Sequence, residues 1–566
     1  MRELVLGSMP ESARPDSHLP AGPWCFSGRE EMFPGWDDPE TGFVLPPDPF
    51  ACAEEMQECA RGANAEVIRL TRILAADLNQ RRRVAYPEIF WETALGPWLI
   101  LCLHMLAERQ KRVLDLVARY GQIPLRVSLL PRGCPFSFQT SLEFMLRGVQ
   151  DVAFNHYVLS RLLEAAAPGR WDLRFLPERP LHRAGEGNRP GGPAAFLAAI
   201  LRRRLRALPF PRQKGFSLAR SLILSLAVLK NRSSRDRTID LAAYAGIPPD
   251  WIFPPEDLIA ACLPRDLLEL PLPPIPDARG RLRGMTAAAS QEDGYRLFLA
   301  AWRAGGGRLF SVQHGANYGN LRSVGGSFFE YRQHAFLTWG WKEHQGYPCN
   351  AVPLPHPLAA ELCAEHAEQS PDLILVGTEM SPFLYRLKSR PQAGQLLPYR
   401  RDKVRFLQAL PEALLARSRY RPYFAAASGL ADESYVLRAL PGLALCRGDL
   451  TRRMLGCRLL VLDHYGTTLH LALAADVPTL CFWNRREWGM EEATERALDA
   501  LAGAGILQPG PEEAAARAAA VWPAVAAWWA SPEVRAARDL WLNSYVRLPR
   551  RGVSLIRLWE KALRGL

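Results

Sequence analysis

The sequence predicts an α/β protein whose parallel strands, joined by helices, form two units facing a cleft. The first observation is length: 566 residues exceed the roughly 250–300 at which a single core stops growing, so more than one domain is expected. The second is the alternation of short apolar runs with helical stretches from Pro371 to Trp483, the spacing of parallel strands connected by helices. The third is residues 308–341, where the apolar run Leu309 to Val312 ends abruptly in a polar loop, Gln313 to Asn320, that contains Gly315 and Gly319. A strand ending in such a loop is where α/β sheets seat ligands. Glycines there let backbone approach a ligand.

In chain order, Arg2 to Gly7 is expected as the first strand. Residues 8–50 are rich in Pro, Gly and Asp, but Trp24, Phe26, Phe33 and Trp36 argue for an ordered, packed loop. Helical spacing marks 52–83 (Val67, Leu70, Leu74, Leu78) and 88–120 (Leu99, Leu103, Leu106). Leu125 to Leu130 is expected as a strand and Phe144 to Ala167 as a helix or helix pair. Signals then fade: 168–280 holds a loop at Gly185 to Pro193 and a Pro-rich run at 264–276, and is expected to be a helical elaboration. Ala335 to Trp341 follows as a second apolar run, and Asn350 to Pro357 reads as a linker.

In the second unit, Asp372 to Val376 is a strand leading into the Gly377-Thr378 loop, and 402–418 is a helix. Tyr420 to Phe424 and Leu443 to Cys446 are strands, and Asp449 to Leu455 is a short helix. Leu459 to Asp463 is a buried strand, Leu469 to Ala475 a helix, and Val477 to Trp483 the next strand. Residues 512–566 are expected to be mainly helical and to pack back across the domains. The plan is therefore 1–348, with its insertion at about 168–280, then 349–511, then 512–566.

Asp463 to Thr468 has the shape of an anion site. A strand ends, Gly466 makes a tight turn, and Thr467 and Thr468 stand at a helix N-terminus whose amides and dipole favour phosphate. A capping Thr467 and a strand-end turn at Asp463 fit the same residues. Because Gln313-His314-Gly315 closes the first unit, the two loops are expected to face each other, and clefts between domains are preferred ligand sites. His314 and Glu330 are the candidate bases, although a strand-end histidine bonded to backbone also fits His314. Tyr318, Gly319, Trp339 and Trp341 are placed on the cleft side. The two tryptophans fit either core packing or a sugar-stacking platform.

The eleven cysteines are scattered, with no C-x-x-C pair and no Cys/His ligand spacing, so neither disulfides nor a metal site is expected. Mean hydropathy is −0.11, and the opening MRELVLGSMPES lacks the form of a signal peptide, so a cytoplasmic protein is expected. The net charge of +12 is localised. Residues 202–237 hold eleven Arg or Lys against one acid, Asp236, around the apolar run Phe216 to Leu229. That run fits a core helix with solvated flanks, or a helix lying on the inner face of an anionic membrane. No reader motif accompanies the charge, so nucleic acid is not expected.

Several segments together resemble a bacterial family of surface-carbohydrate transferases. They are Leu4 to Gly7 with Trp24-Cys25-Phe26; Leu78-Asn79; Tyr86 to Trp91 with Gly96-Pro97-Trp98; Gln313-His314-Gly315 with Tyr318-Gly319; Glu330; Leu337 to Trp341; and Asp463 with Thr467-Thr468 and Pro478-Thr479. The match is in order over nearly the whole chain, with little from 168–280. That family is similar to GT-B glycosyltransferases, including transferases of Kdo and related nonulosonic acids. The resemblance implies two Rossmann-like domains, a nucleotide-sugar donor on the C-terminal one, a glycan acceptor facing the N-terminal one, and no cofactor or metal. Where the family tends to carry Glu after the Thr pair, this chain has His470, which leaves the donor open. His356-Pro357 resembles the motif in which His contacts the phosphate of CMP-activated sialic acid or Kdo, so CMP is favoured; a linker histidine fits as well.

The expected function is transfer of a sugar to an envelope polysaccharide. The donor phosphate would be held by 466–468 with Gly377, Thr378, His356 or Arg447. A polyol-phosphate transferase, a nucleotide-sugar epimerase and a non-catalytic scaffold fit the same fold.

Overall fold

The computed structural model describes every residue except 39, 185–207, 212–213, 232–234, 286–291, 364, 366, 380, 385, 392–394, 424–429 and 431. The expected loop Gly185 to Pro193, part of the basic segment 202–237, and Phe424 lie outside the described residues.

The first sheet is parallel. β1 (Arg2–Val5) lies between β2 (His18–Pro20) and β3 (Leu125–Leu129), with β4 (Asp172–Phe175) outside β3. The two expected helices are present as α1 (Ala53–Arg82) and α2 (Glu88–Tyr120). α2 is long and apolar enough to cross a membrane by length and composition, but most of it is buried inside the protein. It packs on α1 and on α3 (Val152–Ala166). Within α2, Glu108 is fully buried between Arg109 and Arg112, the latter reaching it at 2.7 Å. Burial alone would raise this carboxyl, yet the two guanidiniums hold it below its ordinary range. β4 was illegible in the sequence because it is an edge strand with no buried face, so no apolar alternation marks it.

A second parallel sheet follows, with α4 (Leu218–Lys230) ahead of it in the chain. β5 (Leu282–Met285), β6 (Arg308–Val312), β7 (Ala335–Thr338) and β8 (Ala351–Pro353) lie side by side, with α5 (Asp293–Ala304) between β5 and β6 and α6 (Phe328–Tyr331) between β6 and β7. The segment Asn350 to Pro357 is therefore not a free linker. Its first half pairs with β7 as an edge strand, a position where proline is tolerated. Its second half leads into α7 (Pro357–Leu362).

The third sheet has six parallel strands in the order β11-β10-β9-β12-β13-β14. These are β9 (Leu373–Val376), β10 (Ser418–Arg421), β11 (Ala444–Leu445), β12 (Leu459–Leu462), β13 (Thr479–Phe482) and β14 (Leu507–Gln508). Numbered within the sheet, the order is 3-2-1-4-5-6, the Rossmann arrangement. Its central strands are buried on both faces, as parallel strands require. Leu373, Leu375, Leu459 and Val461 share a core cluster with residues of the helix Pro511–Val521, while Ile374, Val376, Leu460 and Leu462 join the main core. The expected helix 402–418 is instead α8 (Leu396–Gln408), a short turn Glu412–Leu415, and then the start of β10. Pro411 accounts for the break, because proline cannot continue a helix.

α9 (Thr467–Ala474) follows β12, and after β14 the chain ends in helices. α10 (Pro532–Tyr545) packs on α9. α11 (Leu555–Arg564) returns to the second sheet, where Trp559 and Leu563 pack with Phe216, Leu224 and Val228 around α4.

Glu108→Gln would leave Arg109 and Arg112 buried without their shared anion. A loss of about 3–5 kcal/mol is expected from such a change, read as a lower urea midpoint with an unchanged m-value.

Candidate active site in the interdomain cleft

The strand order of the third sheet reverses between β9 and β12, and ligands bind outside the carboxyl ends of strands at such a point. The two expected loops, Gly377-Thr378 and Asp463 to Thr468, leave these strands side by side. Asp463 is buried and binds them together: it accepts the Thr378 backbone N–H at 2.8 and 3.1 Å and lies 2.7 Å from His464 Nδ1. Lys403 Nζ reaches Asp463 at 3.3 Å and Asp432 at 2.6 Å. Burial works against the Lys403 ammonium, but the two carboxylates raise its pKa. Asp463 is thus spent on holding the floor of the site, together with Gly377, whose backbone lies against Lys403 and Tyr420.

The loop from the first unit docks on this floor. Thr467 Oγ1 accepts the Ala316 N–H at 3.2 Å, and Tyr465 Oη donates to the Ala316 carbonyl at 2.8 Å. Gly315, between His314 and Ala316, faces Thr467 across this junction. Gly466 precedes the helix, and Thr468 beside it is partly exposed. The two expected loops therefore meet.

At the mouth of this junction stand His314, Tyr318 and Glu330. Tyr318 Oη donates to Glu330 and lies 3.0 Å from His314 Nδ1; His314 Nδ1 is 3.7 Å from Glu330 Oε1. The His314 side chain is 41% exposed and Glu330 15%, so the imidazole opens outward and the carboxylate stands behind it. Burial lowers the His314 pKa, Glu330 opposes this, and Lys388 and Arg386 add to the lowering. The ring is neutral near pH 7 and able to take a proton. Gly319 has φ +76°, and a Cβ there would overlap the Trp341 indole, so only glycine fits.

Other expected site residues are packed or paired within the protein. Gln313 is buried: its Oε1 accepts the Trp339 N–H at 2.9 Å and Trp341 Nε1–H at 2.8 Å, while its Nε2 donates to the Gly315 carbonyl. Trp339 and Trp341 are packed rather than offered as a platform, Trp341 against Tyr331 and Phe336 and Trp339 stacked 3.7 Å from His356. His356 caps α7, accepting the Ala359 N–H at 3.3 Å, and burial pushes its pKa down to about 3. His470 is fully buried among Tyr465, Trp339 and Trp541, also pushed down to about 3 by burial. Neither histidine faces the cleft surface. Arg447 follows the outer strand β11 and pairs with Glu433. Three strand spacings, about 14 Å at ~4.8 Å each, separate β11 from β12.

Sequence reasoning missed Lys403, His464 and Lys388. Lys403 carries a helix-surface pattern that gives no sign of two buried carboxylates. Lys388 lies on the long loop after β9, which crosses to the first unit: Phe383 stacks on Trp24 at 4.8 Å, and Lys388 bridges with Val324. The run Arg386, Lys388, Arg390 was the available signal.

Gln313→Ala would strip two buried N–H groups of their acceptor. A loss of about 1–3 kcal/mol is expected, measured by urea unfolding, with a change in tryptophan fluorescence as Trp339 and Trp341 loosen.

A crystal structure of WaaG, a glycosyltransferase involved in lipopolysaccharide biosynthesis, matches over 81% of this chain and 95% of that chain, at 14% identity and a TM-score of 0.25. No curated protein matches the sequence. A family model described as LIC12162 family transferase matches residues 2–563, nearly the whole chain. The protein belongs to the LIC12162 family of transferases.

Proposed function

We propose that the protein is a glycosyltransferase that moves a sugar from a nucleotide-sugar donor onto a glycan of the cell envelope. The observation that carries this reading is the junction of Ala316 with Thr467 and Tyr465. It sets a Rossmann switch point, suited to a nucleotide, against a loop bearing a neutral, outward-facing histidine. In this reading the donor phosphate lies near Gly466 to Thr468, where the amides at the start of α9 and the Thr468 hydroxyl offset leaving-group charge.

His314 takes the proton of the acceptor hydroxyl as it attacks the anomeric carbon. Glu330, 3.7 Å away, stabilises the imidazolium that forms, and the Tyr318 hydroxyl fixes both side chains. The donor class proposed is CMP-activated Kdo or another nonulosonic acid, on the chain's resemblance to transferases of those sugars. In that case His356 acts by capping α7, not by touching the phosphate.

Work at the cytoplasmic side of the membrane belongs to the same reading. α4 buries Leu224 and Val228 but turns Leu218, Leu222, Leu226 and Leu229 outward, the last 63% exposed, within the segment of eleven cations.

Turnover of a panel of CMP-, UDP-, GDP- and dTDP-sugars, with and without acceptor, tests the activity. Acceptor-dependent release of nucleotide is expected. Release without acceptor, or conversion of the donor itself, would favour the epimerase class. Inertness to every donor would favour a scaffold. His314→Ala is expected to lower kcat by about 10²–10⁴ and Glu330→Gln by less. At saturating donor the rate should fall as pH drops below the lowered His314 pKa, because the base must be neutral. In vesicle sedimentation, Leu222→Glu with Leu226→Glu should abolish binding to anionic vesicles while neutral vesicles bind neither protein.

A further inference from the structure

We propose that Lys388, on the loop after β9, holds an oxyanion of the substrate, a phosphate or a carboxylate, beside His314 in the interdomain cleft. The lysine is fixed in place from both units. Its residue bridges with Val324; the flanking Ser389 N–H donates to the Ser323 carbonyl at 3.1 Å, and Ser389 Oγ accepts the Ser323 N–H at 3.0 Å. Ser323 Oγ donates to the Leu387 carbonyl and Ser389 Oγ to that of Gly489 at 2.6 Å. Gly325, with φ +54°, makes room: a Cβ there would lie 2.8 Å from Lys388 Cγ and 3.3 Å from Arg386 Cβ.

What this setting withholds is an anion. The ammonium stands 5.7 Å from the Tyr318 ring centroid, and among the described residues no carboxylate lies within ion-pair distance of it. Glu330 faces it but is engaged by the Tyr318 hydroxyl. Lys403, fully buried in the floor of the cleft, has two carboxylates. A partly buried ammonium without a counter-ion favours a ligand that supplies one. Burial first, then Arg386 and Arg390, push the Lys388 pKa down to about 7, with Glu330 opposing. The groups that face it are thus Arg386 and Arg390 on its own loop, Glu330 on α6, and His314 and Tyr318 after β6.

The sign follows. The empty site loses its charge as pH rises through about 7, whereas a bound oxyanion holds the proton on. Affinity therefore falls with rising pH until the pKa of the complex is reached. His314, already neutral there, contributes nothing to this slope.

The inference rests on the glycosyl-transfer reading only for the source of the oxyanion. Calorimetric titration of the full chain with CMP, UDP and inorganic phosphate, and separately with free Kdo as a carboxylate, tests it from about pH 7 to 9. The expected result is a fall of about tenfold or more over that range, abolished in Lys388→Arg, whose guanidinium stays charged. Lys388→Met should bind at least about tenfold more weakly at pH 7 with a melting temperature that does not fall, since the substitution removes an unpaired charge. The arm that shows this behaviour names the oxyanion. An equal slope in Lys388→Arg, undiminished binding by Lys388→Met, or no binding of any probe would overturn the inference. Nucleotide binding indifferent to residue 388 would sink it and leave glycosyl transfer standing. Binding of Kdo or phosphate alone would keep the subsite and sink the nucleotide donor.

Discussion

The buried carboxylate of Asp463 is the constraint on which the rest of the cleft depends. It sits where the strand order reverses, the one place in a doubly wound sheet where two neighbouring strands send their following loops apart. Without a tie those loops would have no common geometry. Asp463 supplies it by accepting the Thr378 amide from the β9 side while standing on β12. An unpaired carboxylate at that depth would be prohibitive, and Lys403, shared with Asp432, offsets it. The charge is therefore structural first. It leaves the amides and hydroxyls after it, from Gly466 onward, in a fixed place.

On that floor the first unit is pinned by ordinary hydrogen bonds of modest strength: Thr467 accepts the Ala316 N–H and Tyr465 donates to the Ala316 carbonyl. Their consequence is positional. They bring the His314 loop to the helix N-terminus, while Gln313, satisfied by the backbone and side chain of the Trp339–Trp341 turn, keeps that loop from swinging. Catalytic geometry of this kind is won by placing groups before the reaction, so that no reorganisation is needed during it. The crossing loop that carries Lys388 adds charge from the opposite side, and its serine pairs to residues 323 and 489 make it part of the wall rather than a flap.

Much of this was legible in the sequence because it rests on local pattern. The strand–loop junctions at Val312 and Leu462 announce themselves by apolar runs ending in glycine and polar residues, and the helices 53–82 and 88–120 by their period. What was illegible depends on residues far apart in the chain. His356 and His470 look like polar site groups in sequence, but Trp339, Tyr465 and Trp541, drawn from three separate segments, enclose them. Arg447 follows a strand end as a phosphate ligand would, yet the sheet order puts that strand at the edge. β4 and β8 are edge strands, where one-sided or absent burial erases the alternation that marks a strand.

One cleft, made jointly by the loops after β6, β9 and β12, is proposed to receive the nucleotide-bearing substrate. Amide hydrogen exchange with and without a saturating nucleotide measures this directly, since protection reports which segments a ligand closes. Added protection is expected in 313–320, 377–390 and 463–468 together, with the α2 core unchanged. Protection confined to the edge of the third sheet around Arg447, or to 463–468 without the 313–320 loop, would contradict it.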